Sequence, residues 1–177
     1  MSRSKEIKGL LIIYTGDGKG KTTAALGQLV RCSGWGLKAI MFQFIKSTTM
    51  NAGEHRAAKK LGLDVRPMGA GFTWNEKDRE KAIKLANEQW DNCRKAVLSG
   101  DYKMIIMDEI SYPLMLSWIS IADVVEVIKN RPSNLHLVLT GRKMPPEITD
   151  IADTITEMTE IKHHFNAGIK AQKGIEF

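Results

Sequence analysis

Six short apolar runs punctuate the chain, at residues 10–14, 39–44, 65–68, 104–107, 135–139 and 154–158. Their length and richness in Ile, Leu, Val and Met predict buried strands. Helical spacing fills most of the gaps. The longest such stretch covers residues 75–98, where Ala82, Leu85, Ala86, Gln89, Trp90, Cys93, Ala96 and Val97 fall on one face. Residues 24–33 are compatible with helix. A further helix is predicted from Ser120, an N-cap with Asp123 three residues on, to Asn130 before Arg131 and Pro132. Strand and helix alternate, which implies an α/β protein, a three-layer sandwich with a mostly parallel sheet covered on both faces. The order of the strands does not follow from this pattern. No internal repeat, low-complexity tract or linker interrupts it, so one domain over residues 1–177 is expected. Residues 161–177 lack a clear period but keep Phe165, Ile169, Ile175 and Phe177, and are expected to pack on that domain.

Between the first strand and the first helix runs Thr15-Gly16-Asp17-Gly18-Lys19-Gly20-Lys21-Thr22-Thr23. Strand, glycine-rich turn, Lys-Thr, then helix is the order of a phosphate-cradling loop. Glycines let backbone N–H groups converge on an anion, and the helix N-terminus adds partial positive charge. Lys21 supplies a mobile cation to phosphate oxygens, and the Thr22 hydroxyl a magnesium ligand. The strict pattern fails at one place, because Thr15 stands where the first glycine belongs.

Composition adds two constraints. The net charge of +6 is uneven: residues 1–60 hold eleven Lys and Arg against Glu6, Asp17 and Glu54, and the rest hold fifteen against seventeen acidic residues. The positive excess therefore sits with the phosphate loop, which suits a polyanionic ligand, a nucleic acid or simply a solvated basic face. No apolar run approaches the length of a membrane span and no signal region opens the chain, so a cytoplasmic protein without a membrane partner is expected. Cys32 and Cys93 form no CxxC pair and read as reduced thiols.

Residues 104–107 lead directly into Asp108 and Glu109. A buried parallel strand that ends in a carboxylate delivers it where open α/β sheets bind ligands, in position to hold magnesium directly or through water. If the strand continues, the two side chains point apart and only one sits close to the metal. The run Leu137-Val138-Leu139-Thr140-Gly141-Arg142 repeats the design, and Arg142 is either a nucleotide contact or a surface arginine after a turn. Gly71-Phe72-Thr73-Trp74 sets two aromatic residues in a glycine-flanked loop. Aromatic residues usually belong to the core, but Gly69, Gly71 and Thr73 read as loop.

Together these runs resemble the P-loop family of ATP:corrinoid adenosyltransferases. The matching residues include the loop from Gly16 to Ala25, Phe42-Gln43-Phe44-Ile45-Lys46 and Gly53-Glu54. They continue with Gly71-Phe72-Thr73-Trp74, Asp108-Glu109, Arg131-Pro132, Thr140-Gly141-Arg142 and Ala152-Asp153. The tail from Lys162-His163-His164 through Gly168-Ile169-Lys170-Ala171-Gln172 to Phe177 completes the match. The phosphate loop is shared by many families; the aromatic loop and the tail are close to diagnostic, and Thr15 fits as well.

The resemblance implies a RecA-like P-loop fold and a reaction. Cobalt(I) of a reduced corrinoid attacks the 5′ carbon of ATP and expels triphosphate, in cobalamin biosynthesis or salvage. It implies that Gly16, Asp17, Gly18, Lys19, Gly20, Lys21, Thr22, Thr23 and Arg142 bind the nucleotide. Thr22 with Asp108 or Glu109 would serve Mg2+, Lys21 and Glu109 would act in catalysis, and Phe72 and Trp74 would close against the lower corrin face. A homodimer, an electron donor such as a reduced flavoprotein and no nucleic acid are further implications. Two departures stand out. About eight residues precede the first strand, so the helical extension that covers the corrinoid in longer members is expected to be absent or replaced. Asp17 stands where Asn is common. The same fold, basic N-terminal third and nucleotide signals also permit a RecA-like nucleic-acid-dependent ATPase or a small P-loop kinase. Neither accounts for the aromatic loop and the tail together.

Overall fold

A computed structural model describes residues 8–50, 52–71 and 76–176. Six strands form one sheet: β1 (Leu11–Thr15), β2 (Ala39–Gln43), β3 (Asp64–Pro67), β4 (Met104–Asp108), β5 (His136–Thr140) and β6 (Thr154–Glu157). All six predicted strands are present, within one or two residues of their expected ends. The sheet order is β3-β2-β4-β5-β1-β6, and every pairing is parallel. The helices are α1 (Lys21–Gly34), α2 (Gly53–Leu61), α3 (Glu76–Ser99), α4 (Ser111–Met115), α5 (Ile121–Lys129) and α6 (Pro146–Thr149). None among the described residues is long and apolar enough to cross a membrane.

The strands read as continuous apolar runs because both faces of the sheet are covered. Within β4 the alternation persists: Met104 and Ile106 join Ala25, Leu29 and Cys32 of α1 on one face. Ile105 and Met107 meet Ala86, Trp90 and Cys93 of α3 and Val124, Val127 and Ile128 of α5 on the other. The three-layer expectation is therefore met, with α1 against one face and α3 and α5 against the other. Ser120 caps α5 as its sequence predicts, its hydroxyl accepting from the Asp123 N–H at 3.3 Å.

Two residues of the family resemblance, Asp153 and Arg131, lie with His136 at the end of the sheet opposite the strand C-termini. Asp153 accepts from the Leu11 N–H at 2.9 Å and pairs with Lys8 at 2.6 Å. Arg131 donates to the Ile128 carbonyl at 2.7 Å, and His136 Nδ1 accepts from the Leu10 N–H at 3.1 Å. These are structural roles.

Ser120→Ala should cost about 1 kcal/mol of folding stability, the usual worth of an N-cap. A urea titration that gives the variant and the native protein the same midpoint would contradict the capping assignment.

Candidate active site

The C-terminal ends of the strands surround a cavity of about 1060 Å³. The phosphate loop forms one wall. β1 ends at Thr15, which still pairs with Glu157 of β6, so the left-handed turn falls on Gly16 at φ 93°. That is why Thr15 is tolerated where a glycine is usual: it is strand, and Gly16 makes the turn. A Cβ at Gly16 would lie 2.5 Å from the Met158 carbonyl oxygen. The same carbonyl takes the Gly18 N–H at 2.6 Å, and Met158 N–H donates back to Thr15 at 2.9 Å. Residue 158, just past β6, thus braces the loop from the side.

Helix α1 begins after Gly20, at φ 109°, with no side chain capping it and no acidic residue in its first turn. Its leading N–H groups and its dipole face the cavity, a ready anion site. Lys21 Nζ donates to the Gly16 and Gly18 carbonyls at 2.7 and 2.6 Å. Burial lowers its pKa, and the Arg142 guanidinium lowers it further.

Asp108 is wholly buried behind the cavity wall. Its Oδ1 accepts from Thr22 Oγ1 at 2.9 Å and Thr140 Oγ1 at 2.7 Å, and its Oδ2 from Gln43 Nε2 at 3.1 Å. The strand does not continue past it. Glu109 turns into the left-handed region at φ 60°, held by its N–H bond to Thr140 Oγ1 at 2.9 Å. The strand therefore stops instead of carrying the two side chains to opposite faces: Glu109 lines the cavity while Asp108 sits behind Thr22. Burial and the neighbouring Asp108 push the Glu109 carboxyl up to about 7, against the opposing pull of Lys46, Lys21 and Arg142.

Asp17, Gly18, Lys19, Gly20, Lys21, Thr22, Thr23, Glu109 and Arg142 all line the cavity; Gly16 and Asp108 support it from behind. Arg142 pairs loosely with Asp17 across the mouth at 3.7 Å. This gives the carboxylate an outward-facing partner in place of the anion it would repel. Phe72 and Trp74 lie outside the described residues.

Sequence reasoning did not single out Gln43, Lys46, Glu54, Thr140, His163 or Glu176 as site residues. Lys46 and Glu54 form a close ion pair on the cavity wall. Burial alone would raise the Glu54 pKa, but the Lys46 hydrogen bond and charge hold it below the usual value. Gln43 and Thr140 are the last residues of β2 and β5. The rule that ligands gather at strand C-termini would have found them.

The tail does pack on the domain, though not through its apolar residues. Ile161, Phe165 and Ile175 are 95, 70 and 67% exposed. Instead Glu176 Oε1 reaches Lys19 Nζ and His164 Nε2, each at 3.0 Å, and brings Gly174, Ile175 and His163 to the cavity rim.

The fold and this cavity define a nucleotide-binding α/β protein. Residues 7–177 match the family described as ATP:corrinoid adenosyltransferase BtuR/CobO/CobP. The corrinoid adenosyltransferase of Escherichia coli (strain K12) is 34% identical over 100% of this chain and 90% of its own length. That of a Sinorhizobium species is 38% identical over 100% and 84%, and that of Pseudomonas aeruginosa 36% over 100% and 88%. The flagellar accessory protein FlaH from Methanocaldococcus jannaschii shares the fold, with a TM-score of 0.56 at 15% identity over 87% of this chain and 73% of that one. The chain belongs to the ATP:corrinoid adenosyltransferase family, nucleotide-dependent transferases of cobalamin metabolism.

A carboxyl held near 7, above its ordinary 4.5, favours the folded state while protonated. That advantage is present below the ordinary value and is lost as pH rises through about 7. In EDTA, Glu109→Gln should therefore melt roughly 5 °C above the native protein at pH 8, the gap closing towards pH 5. Thermal melts showing an equal gap at both pH values would refute the burial assigned to Glu109.

Proposed function

We propose that the cavity holds the triphosphate of ATP, with magnesium, against the phosphate loop. The ribose 5′ carbon then faces a reduced corrinoid, the second substrate. The observation that carries this reading is convergence: the loop, the uncapped N-terminus of α1, the Thr22–Asp108 pair, Glu109 and Arg142 surround one cavity. Its volume lies just above the range of roughly 300–1,000 Å³ for small-molecule sites. Family membership supplies the corrinoid.

Magnesium fits the donors present. Thr22 and Glu109 offer hard oxygens to the cavity, Asp108 holds Thr22 from behind, and magnesium is commonly held by one or two carboxylates together with substrate phosphates. Such a site needs no all-protein cage, and among the described residues no cluster of three His, Cys, Asp or Glu forms one. Thr22, donating its proton to Asp108, keeps its oxygen lone pairs for the metal. Bound magnesium would neutralise charge on the departing triphosphate.

The transfer needs no proton. The cobalt(I) electron pair forms the bond to the 5′ carbon, the bond from that carbon to the triphosphate oxygen breaks, and its electron pair leaves with triphosphate. A general base is therefore not required. Lys21, Arg142 and the loop N–H groups assist by stabilising the charge that develops on the leaving group. Lys19 contributes once Glu176 yields it. Phe72 and Trp74, on the strength of the family resemblance, wall off the lower corrin face and deny cobalt(II) an axial ligand. The resemblance also carries a homodimer and a reduced flavoprotein as electron donor. Two unpaired buried cysteines suit the reducing cytoplasm.

With MgATP and chemically reduced cob(I)alamin under anaerobic conditions, the protein should form a light-sensitive corrinoid and release intact triphosphate. Lys21→Ala should abolish this turnover; near-native activity would refute the site, and cleavage of ATP to ADP and phosphate instead would refute the reaction. Phe72→Ala and Trp74→Ala should slow the reaction from cobalt(II) more than from prereduced cobalt(I). Equal losses on both substrates would sink the axial-ligand role.

A further inference from the structure

One polar chain leads from the Thr22–Asp108 pair to Gln43 and His55, two residues that the reaction described above does not use. His55, in the first turn of α2, places Nε2 2.7 Å from Gln43 Oε1. Gln43, wholly buried at the end of β2, places its Nε2 3.1 Å from Asp108 Oδ2. Asp108 Oδ1 takes the Thr22 hydroxyl.

The donors run in one sense. A carboxylate only accepts, so the Gln43 amide must turn its NH2 to Asp108 and its carbonyl outward. His55 then donates through Nε2–H. The imidazole fixes the plane of the amide, and the amide the plane of the carboxylate. With Oδ2 held, Oδ1 stays aligned with Thr22 and Thr140. The backbone of this segment is fixed separately: Gln89 Nε2 donates to the Gln43 carbonyl at 3.3 Å and the Arg66 carbonyl at 2.7 Å. The neighbouring Glu54 binds Lys46, so α2 reaches the site at two points.

We propose that His55 is a positioning residue for the metal–triphosphate site, acting through Gln43 and Asp108 on the hydroxyl of Thr22. This rests on the magnesium site proposed above. Outer partners that orient metal ligands typically carry tenfold or more in metal affinity.

The test uses the full-length protein with ATP as probe, titrated at equilibrium with magnesium and again in EDTA. His55→Ala should lose about tenfold of the affinity that magnesium adds, with binding in EDTA unchanged. His55→Gln, whose amide nitrogen can stand in for Nε2, should recover most of it. Gln43→Leu should reproduce the loss, and the double variant His55→Ala with Gln43→Leu should lose no more than Gln43→Leu alone. An unchanged magnesium increment in His55→Ala, or equal loss with and without magnesium, overturns the role. If His55→Ala does not fold, His55→Asn, too short to reach Gln43, carries the same comparison. Thr22→Ala separates the two readings. If it keeps the magnesium increment, the metal site is misplaced and both readings fall. If it loses the increment while His55→Ala keeps it, only the relay from His55 falls.

Discussion

The Asp108 carboxylate is the point through which the site is assembled. It is fully buried, and a buried charge is tolerated only when hydrogen bonds replace its water. Its three donors come from three other elements: Thr22 from α1, Thr140 from β5 and Gln43 from β2. Satisfying one charge therefore aligns the phosphate-loop helix with the two strands beside β4. Thr140 acts twice, donating to Asp108 and accepting the Glu109 N–H, so the same network sets the left-handed turn that brings Glu109 into the cavity.

Four cations of the site already have partners. Lys19 is engaged by Glu176, Lys46 by Glu54, Arg142 by Asp17 and Lys21 by two loop carbonyls. An incoming polyanion would exchange partners with these groups. The exposed Asp17–Arg142 pair, solvent-screened and loose, is the easiest to exchange. The close Lys46–Glu54 pair on the wall is the hardest, which makes it a fixed part of the cavity surface.

Much of the architecture was legible in the sequence because each layer leaves its own mark. Strands buried on both faces read as unbroken apolar runs, α3 shows a helical face, and Ser120 with Asp123 announces a cap. The phosphate loop was legible because Gly16 and Gly20 must adopt conformations other residues avoid. What stayed hidden depends on which elements become neighbours. Sheet order placed Gln43 and Thr140 on either side of Asp108, and no local pattern encodes that meeting. The turn at Glu109 was hidden too, since an apolar run ending in two carboxylates does not say where the strand stops. In the tail, the apolar residues suggested an anchor, but Glu176 supplies it because Lys19 is a partner only the folded loop presents.

The strand order has a bearing on how the molecule comes into being. β1, the first strand made, is flanked by β5 and β6, whose first residues are His136 and Thr154. On the ribosome it must wait for more than a hundred residues before either neighbour exists. Contacts this distant in sequence are slow to close and leave unpaired strand edges exposed meanwhile. The brace from Met158 to Thr15 and Gly18 comes later still. The cavity is thus among the last features to mature, and its appearance marks a chain whose sheet is complete.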